Sequence, residues 1–343
     1  MRIVFKISLI LAIAFDLIAI GGLLYLLTVS KSAADLASRD IIDFEVQSGW
    51  SAGDISRELK AKGVIDSEFY FTFYIVWNKE SGNLKAGYYE LSPSMTMPEI
   101  VEELKTGKIK QVKVTIPEGY TTSQMEELFI KSDFELNKGE LVEAADVSPA
   151  LVHRIFNLNF LLDLPEDATI DGFLFPDTYI FEESPDLNSI MEKMLVNFSD
   201  KVPDATRVKI KADGRTLYDT VKMASLLEKE VKTYEDMRIA SGILWKRIEI
   251  GMPLQVDATL IYITGKKGSE LTSEDKLINS RYNTYLYRGL PPTPINNAGL
   301  NAINAAVNPF ETEFLYYIST PDGETIFSKT LDDHNANVAK FLR

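Results

Sequence analysis

Residues 215–249, RTLYDTVKMASLLEKEVKTYEDMRIASGILWKRIE, read as two long helices, about 215–231 and 234–249. On a helical projection Met223, Ala224, Leu226 and Leu227 share one apolar arc. Glu230 falls in the middle of that arc, Glu228 lies on its margin, and Lys229 faces away. A carboxyl group aimed into a partly apolar cleft has its ionised form disfavoured and its pKa raised. Enzymes use that environment to keep a glutamic acid protonated near neutral pH as a general acid. The same pattern also fits a helix-end glutamate that escapes to solvent, beside an ordinary Glu228–Lys232 surface pair.

On either side the chain from about residue 113 onward reads as one larger α/β-type region. Helices are expected near 121–163, then the motif IDGFLFPDTYIF at 170–181, then a helix near 187–200. After the two long helices come QVDATLIY, YNTYLYRGLPPTPI and LYYISTPDG, a strand- and loop-rich stretch, and a terminal helix. Gln255 and Asp257 alternate with Leu254 and Val256, so both could face a groove from one edge of a strand. Asn283 and Tyr285 offer an amide for hydroxyls and a ring for stacking, although turn capping and core packing fit them equally. Asp177 and Tyr179 are just as open. His334 with Asn335 opens the last helix, where capping is the plainer role.

Before residue 113 the pattern is finer. DFEVQSGWSAGDISRELKAKGVI reads as strand, turn and amphipathic helix. A second helix follows at 68–77, a strand at 86–92, and a short helix that Gly107 ends. VQSGWSAGDISREL, LSPSMTMPEIVEEL and IPEGYTTSQMEELF echo one another, each with a turn, a Ser or Thr, and an Ile or Met shortly before Leu. A small glycan-binding module resembling LysM domains fits residues 40–112, as does plain α+β packing.

The run ISLILAIAFDLIAIGGLLYLLTV, residues 7–29, carries one charge and is long enough for the hydrocarbon core. Arg2 and Lys6 precede it, so the N-terminus is expected in the cytoplasm. The run exceeds the h-region of a signal peptide, which favours an uncleaved anchor over residues 1–34. Asp16 sits near its middle. Lys+Arg 36 against Asp+Glu 50 gives a net charge of −14, which argues against nucleic acid. There is no cysteine, which excludes disulfides, thiol catalysis and cysteine zinc sites. With only His153 and His334, a histidine-rich metal centre or a Ser-His-Asp triad is not expected, and no cofactor is implied.

MASLLEKE, RIASGILWKRIEIGMPLQVDATLIY, YNTYLYRGLPP and SKTLDDHNANVAKFL follow one another in an order that resembles the endolytic murein transglycosylase (YceG-like) family. IDGFLFPDTY and the N-terminal anchor fit the same pattern. The resemblance implies an inner-membrane, single-pass protein of mixed α+β fold. A LysM-like subdomain (40–112) and a larger catalytic domain (113–343) would lie on the periplasmic side. It also implies cleavage of the MurNAc–GlcNAc bond of peptidoglycan with a 1,6-anhydro-MurNAc end, with Glu230 as the catalytic glutamate. Gln255, Asp257, Asn283, Tyr285 and Glu228 are the substrate-binding candidates. Partners would be peptidoglycan strands, the membrane, and proteins of cell-wall synthesis or division. A non-catalytic peptidoglycan-binding scaffold and a hydrolysing muramidase stay open, the latter with Asp257 or Glu228 as second carboxylate.

Overall fold

The computed structural model describes residues 2–29, 31–107, 111–132, 134–182, 185–320 and 322–341, with side chains described from Ile13 onward except Ala14. The chain divides into two units, 1–111 and 112–343. The first holds α1 (Arg2–Val29), β1 (Ile42–Val46), α2 (Ala52–Ala61), α3 (Glu68–Trp77), β2 (Gly87–Leu91) and α4 (Met97–Thr106). β1 and β2 pair antiparallel with Phe44 opposite Tyr89. Alternate residues turn inward, so Phe44, Val46, Tyr89 and Leu91 meet Ile55, Leu59, Phe71 and Ile100 in one core. Gly107 ends α4 in the left-handed region, φ 66°, which favours glycine.

α1 is a single helix of 28 residues. Its side chains from Phe15 to Tyr25 include Phe15, Leu17, Ile18 and Leu24, each more than half exposed. Among the described residues no helix is long and apolar enough to cross a membrane. The side chains of residues 2–12, which open the expected span, lie outside the described residues.

The second unit holds β3 (Gln111–Thr115), α5 (Thr122–Lys131), α6 (Glu140–Ala145), α7 (Pro149–Phe156), β4 (Thr178–Glu182), α8 (Leu187–Lys201), α9 (Asp204–Ala212), α10 (Leu217–Glu230), α11 (Tyr234–Glu249), α12 (Asp257–Thr264), α13 (Leu300–Val307), β5 (Tyr316–Ser319), β6 (Thr325–Ser328) and α14 (Leu331–Phe341). Among the described residues strands pair only two by two, β1 with β2, β3 with β4, and β5 with β6. The mixed α+β class therefore holds: in the larger region helices supply most of the core, and the β3–β4 ribbon adds Val114, Tyr179 and Phe181 to it.

α10, α11 and α13 form the centre of this unit. Ala302, Ala305 and Ala306 of α13 are fully buried beside Leu226, Leu227 and Leu244, small residues letting the helices approach. α11 comes so close to the following chain that a Cβ on Gly242 would sit 2.0 Å from the Phe310 carbonyl oxygen. Buried Asn297 pins distant segments. Its carbonyl accepts from Gly119 N, its Nδ2 donates to Tyr120 O, and its Oδ1 accepts from Leu174 N at 3.1 Å.

The three echoes in the sequence have one local cause. Ser51, Thr96 and Thr121 each start a ten-residue helix, and the side chain three positions on returns to the cap backbone N–H. Asp54 does so at 3.0 Å, Glu99 at 2.7 Å and Gln124 at 3.0 Å. These are capping boxes, which satisfy N–H groups that a helix start otherwise leaves unpaired.

Candidate active site

α10 stops at Glu230 because Val231 turns extended, φ −141° and ψ 152°. The turn before it is buried through Met223, Leu226 and Leu227. Glu230 keeps part of its surface open to a groove of about 600 Å³. Lys229 and Glu230 of α10 form one wall, with Arg247 of α11 and Leu254, Gln255 and Asp257 leading into α12. Lys276 and Tyr285 come from the loop after α12, and Tyr316 to Ser319 from β5. Leu331, His334, Asn335 and Val338 of α14 complete it.

The Glu230 carboxyl group meets two donors. Tyr317 Oη donates to Oε2 at 3.0 Å, and Ala258 N donates to Oε1 at 3.4 Å from the first turn of α12. Ser319 Oγ also donates to the Glu230 carbonyl at 3.3 Å. Burial pushes the carboxyl pKa up to about 7, and the Asp257 charge adds to it. The Tyr317 hydrogen bond, the Ala258 N–H and the Arg247 cation oppose that rise. The Tyr317 phenol is itself held well above its usual range, first by burial and then by Glu230, so it stays a donor.

The other candidates separate into two groups. Asp257 and Tyr285 face the groove as a pair, the phenol donating to Asp257 Oδ1 at 2.6 Å. Lys276 Nζ lies 4.8 Å from the Tyr285 ring centroid, a cation–π contact. Gln255 also lines the groove, but not from a strand: it sits at φ 55° and Asp257 is the first residue of α12. The expected strand edge is corrected to a helix start, where an acidic residue suits the positive end of the helix.

Asn283 and Glu228 do not line the groove. Asn283 is fully buried, donating to the carbonyls of Lys276 and Ile278 at 3.1 and 2.8 Å and accepting from Tyr285 N at 3.0 Å. Its amide holds the loop that presents Tyr285, so the sugar-facing expectation is corrected. Glu228 Oε2 accepts from Gly299 N at 3.0 Å, beside the start of α13. That contact takes the place of the surface pair with Lys232. Asp177 and Tyr179 lie outside the groove too, joined through Asn197.

Sequence reasoning did not bring Arg247, Tyr317, Ser319 or His334 to the groove. Arg247 is 5% exposed, and Ala240, Ile243 and Leu244 on the same face of α11 are fully buried. The projection that selects Glu230 would have found it. Tyr317 and Ser319 alternate on β5, and nothing local points to a glutamate 87 residues earlier. His334 does not cap its helix; Thr330 does, with Asp333 N donating to its Oγ1 at 3.1 Å. The His334 ring instead lies 5.3 Å from Tyr316, with burial and Arg247 lowering its pKa.

The profile of the YceG-like family matches residues 44–340. The endolytic murein transglycosylase of Bacillus subtilis (strain 168) is 28% identical over 317 residues, which cover 89% of this chain and 86% of that protein. The protein of the same description from Streptococcus pneumoniae serotype 2 is 29% identical over 330 residues, 90% of this chain but 60% of the longer relative. The crystal structure of a yceG-like protein from Listeria monocytogenes superposes with a TM-score of 0.60 at 31% identity, covering 87% of this chain and 99% of that one. With the profile spanning residues 44–340, well over half of the sequence, the chain belongs to the YceG-like family.

Proposed function

We propose that this chain is an endolytic murein transglycosylase that cuts the MurNAc–GlcNAc β-1,4 bond and leaves a 1,6-anhydro-MurNAc end. One observation carries the reading: a groove-facing glutamate with a pKa of about 7 is suited to be acid in one step and base in the next. The Bacillus and Streptococcus relatives, named for this activity, support it.

Glu230 gives its proton to the leaving glycosidic oxygen as the C1–O bond breaks. As carboxylate it then takes the proton of the muramic C6 hydroxyl, whose oxygen closes the anhydro ring at C1. No water is consumed, and the internal nucleophile gains from proximity. Asp257, its Oδ1 held by Tyr285, supplies negative charge on the same groove for the oxocarbenium-like centre. Gln255 and Tyr285 contact the sugar by amide and ring.

The shared groove also supports a second reading, in which Asp257 activates a water and the enzyme is a muramidase. Mass spectrometry of the released fragments before and after borohydride separates the two. Anhydro ends lack one water and resist reduction, and are the expected product of internal cuts. Reducible muramic ends as the main product would establish hydrolysis, and a scaffold would release no fragments.

Residues 40–112 form a LysM-like subdomain in this reading, supported by the β1–α2–α3–β2 order with its paired strands. Residues 113–343 form the catalytic domain. α1 anchors the chain in the inner membrane with the rest on the periplasmic side, where peptidoglycan lies. Its exposed apolar side chains, which no core covers, support the anchor. Removal of residues 1–30 should therefore yield a folded protein that stays in the supernatant, since both cores lie beyond that segment. Aggregation of the shortened chain, measured by light scattering, would contradict the anchor.

A further inference from the structure

We propose that Tyr317 is a positioning residue that reserves Glu230 Oε2 as a permanent acceptor, so that Oε1 alone gives and takes back the proton. The proposal rests on the reading of Glu230 as acid and base, and it assigns the two transfers to one oxygen.

The geometry is that of a clamp. β5 and β6 pair antiparallel with Tyr317 opposite Phe327, which holds the strand in register. Residues two apart on a strand share a face. Tyr317 and Ser319 use that face to hold Glu230 twice, through Oε2 at 3.0 Å and through its main-chain carbonyl at 3.3 Å. A phenol that donates to Oε2 leaves the acid proton on Oε1. Among the described residues Oε1 meets the Ala258 N–H alone, at 3.4 Å, a long contact that leaves the oxygen free to carry the proton. That N–H belongs to the start of α12, where unpaired donors and the helix dipole favour negative charge.

The steps follow from this arrangement. In the first, the Oε1–H bond breaks, its proton passes to the glycosidic oxygen, and the C1–O bond breaks. The charge left on the carboxylate is held by Tyr317 on one oxygen and by the helix start on the other. In the second, the C6 hydroxyl proton passes to Oε1 as its oxygen bonds to C1, and the acid is restored. The carboxyl group need not rotate between the steps, and the phenol never has to release its proton.

Tyr317→Phe removes the donor and keeps the ring. In protein labelled with ¹³C at the glutamate side-chain carboxyl carbon, the Glu230 titration midpoint should rise by about one pH unit, because the ionised form has lost its donor. The alkaline limb of the kcat profile should move the same way. kcat at neutral pH should fall about tenfold with KM little changed, the mark of lost transition-state positioning. Fluorotyrosine at position 317 is a stronger donor of nearly the same shape, so it should lower the midpoint and also keeps the test open if Tyr317→Phe fails to fold. Midpoints and pH profiles indistinguishable from wild type in the folded variants would overturn the proposal. The titration needs no substrate, so its failure is distinct from that of the transglycosylase reading, which a wild-type enzyme yielding no anhydro ends would overturn.

Discussion

Replacing Glu230 with glutamine should reduce glycan cleavage by at least 10²-fold, and by about 10⁴-fold if both proton transfers are lost. Glutamine keeps the size of the side chain and an acceptor for Tyr317, but it cannot give up and regain a proton. The same change should make the protein more stable at neutral and alkaline pH. The folded-state pKa of Glu230 is raised from 4.5 to about 7. Between those values the folded chain holds a proton that the unfolded chain has released, so stability falls as pH rises through that window. The displacement corresponds to roughly 3 kcal/mol, which water on the open side of the groove reduces to about 2 kcal/mol. Denaturant melts at pH 4 and pH 8 should show the variant matching wild type at the lower pH and exceeding it at the higher. A variant less stable than wild type at pH 8, or one that retains a tenth of the activity, would contradict the assignment.

Arg247→Met should destabilise the second unit by about 3 kcal/mol. The guanidinium is buried and donates from Nε to Leu315 O at 2.8 Å and from Nη1 to Leu254 O at 2.7 Å and Pro253 O at 3.4 Å. Methionine fills part of the space but leaves those carbonyls without a donor, each costing about 1–3 kcal/mol where water cannot reach it. Relief from burying the cation offsets part of that cost, as the depressed pKa of Arg247 indicates. Arg247 also lies 5.2 Å from the Tyr316 ring and helps hold the Glu230 pKa down. The folded variant should therefore show Glu230 titrating above its wild-type value. An unchanged denaturation midpoint would mean that the carbonyls find other donors.

The two long helices and the buried face of Glu230 were legible because a helix of 3.6-residue period states its inner face in its own sequence. The helix over 68–77 and the strand over 86–92 were legible for similar reasons, through Ser67 at the helix cap and the alternation of β2. Residues 254–260 misled because Leu254, Val256, Ala258 and Leu260 are all buried at alternate positions, as in a strand, while Thr259 between them is buried as well. A helix start covered on several sides hides its period. Asn283 misled differently: an amide near aromatic residues reads as a sugar ligand, yet the loop needed its donors and acceptor first. Tyr317 stayed hidden because its partner is set by the packing of β5 against the end of α10.

That last arrangement fixes when the enzyme can first act. Synthesis proceeds from the N-terminus, so Glu230 leaves the ribosome 87 residues before Tyr317. A chain still being synthesised carries the glutamate but lacks the groove wall formed by β5 and α14. Its carboxyl group is then an ordinary solvated one, ionised at neutral pH and unable to protonate a leaving group. Cleaving power thus arrives late in production of the polypeptide, only once β5 and α14 have followed.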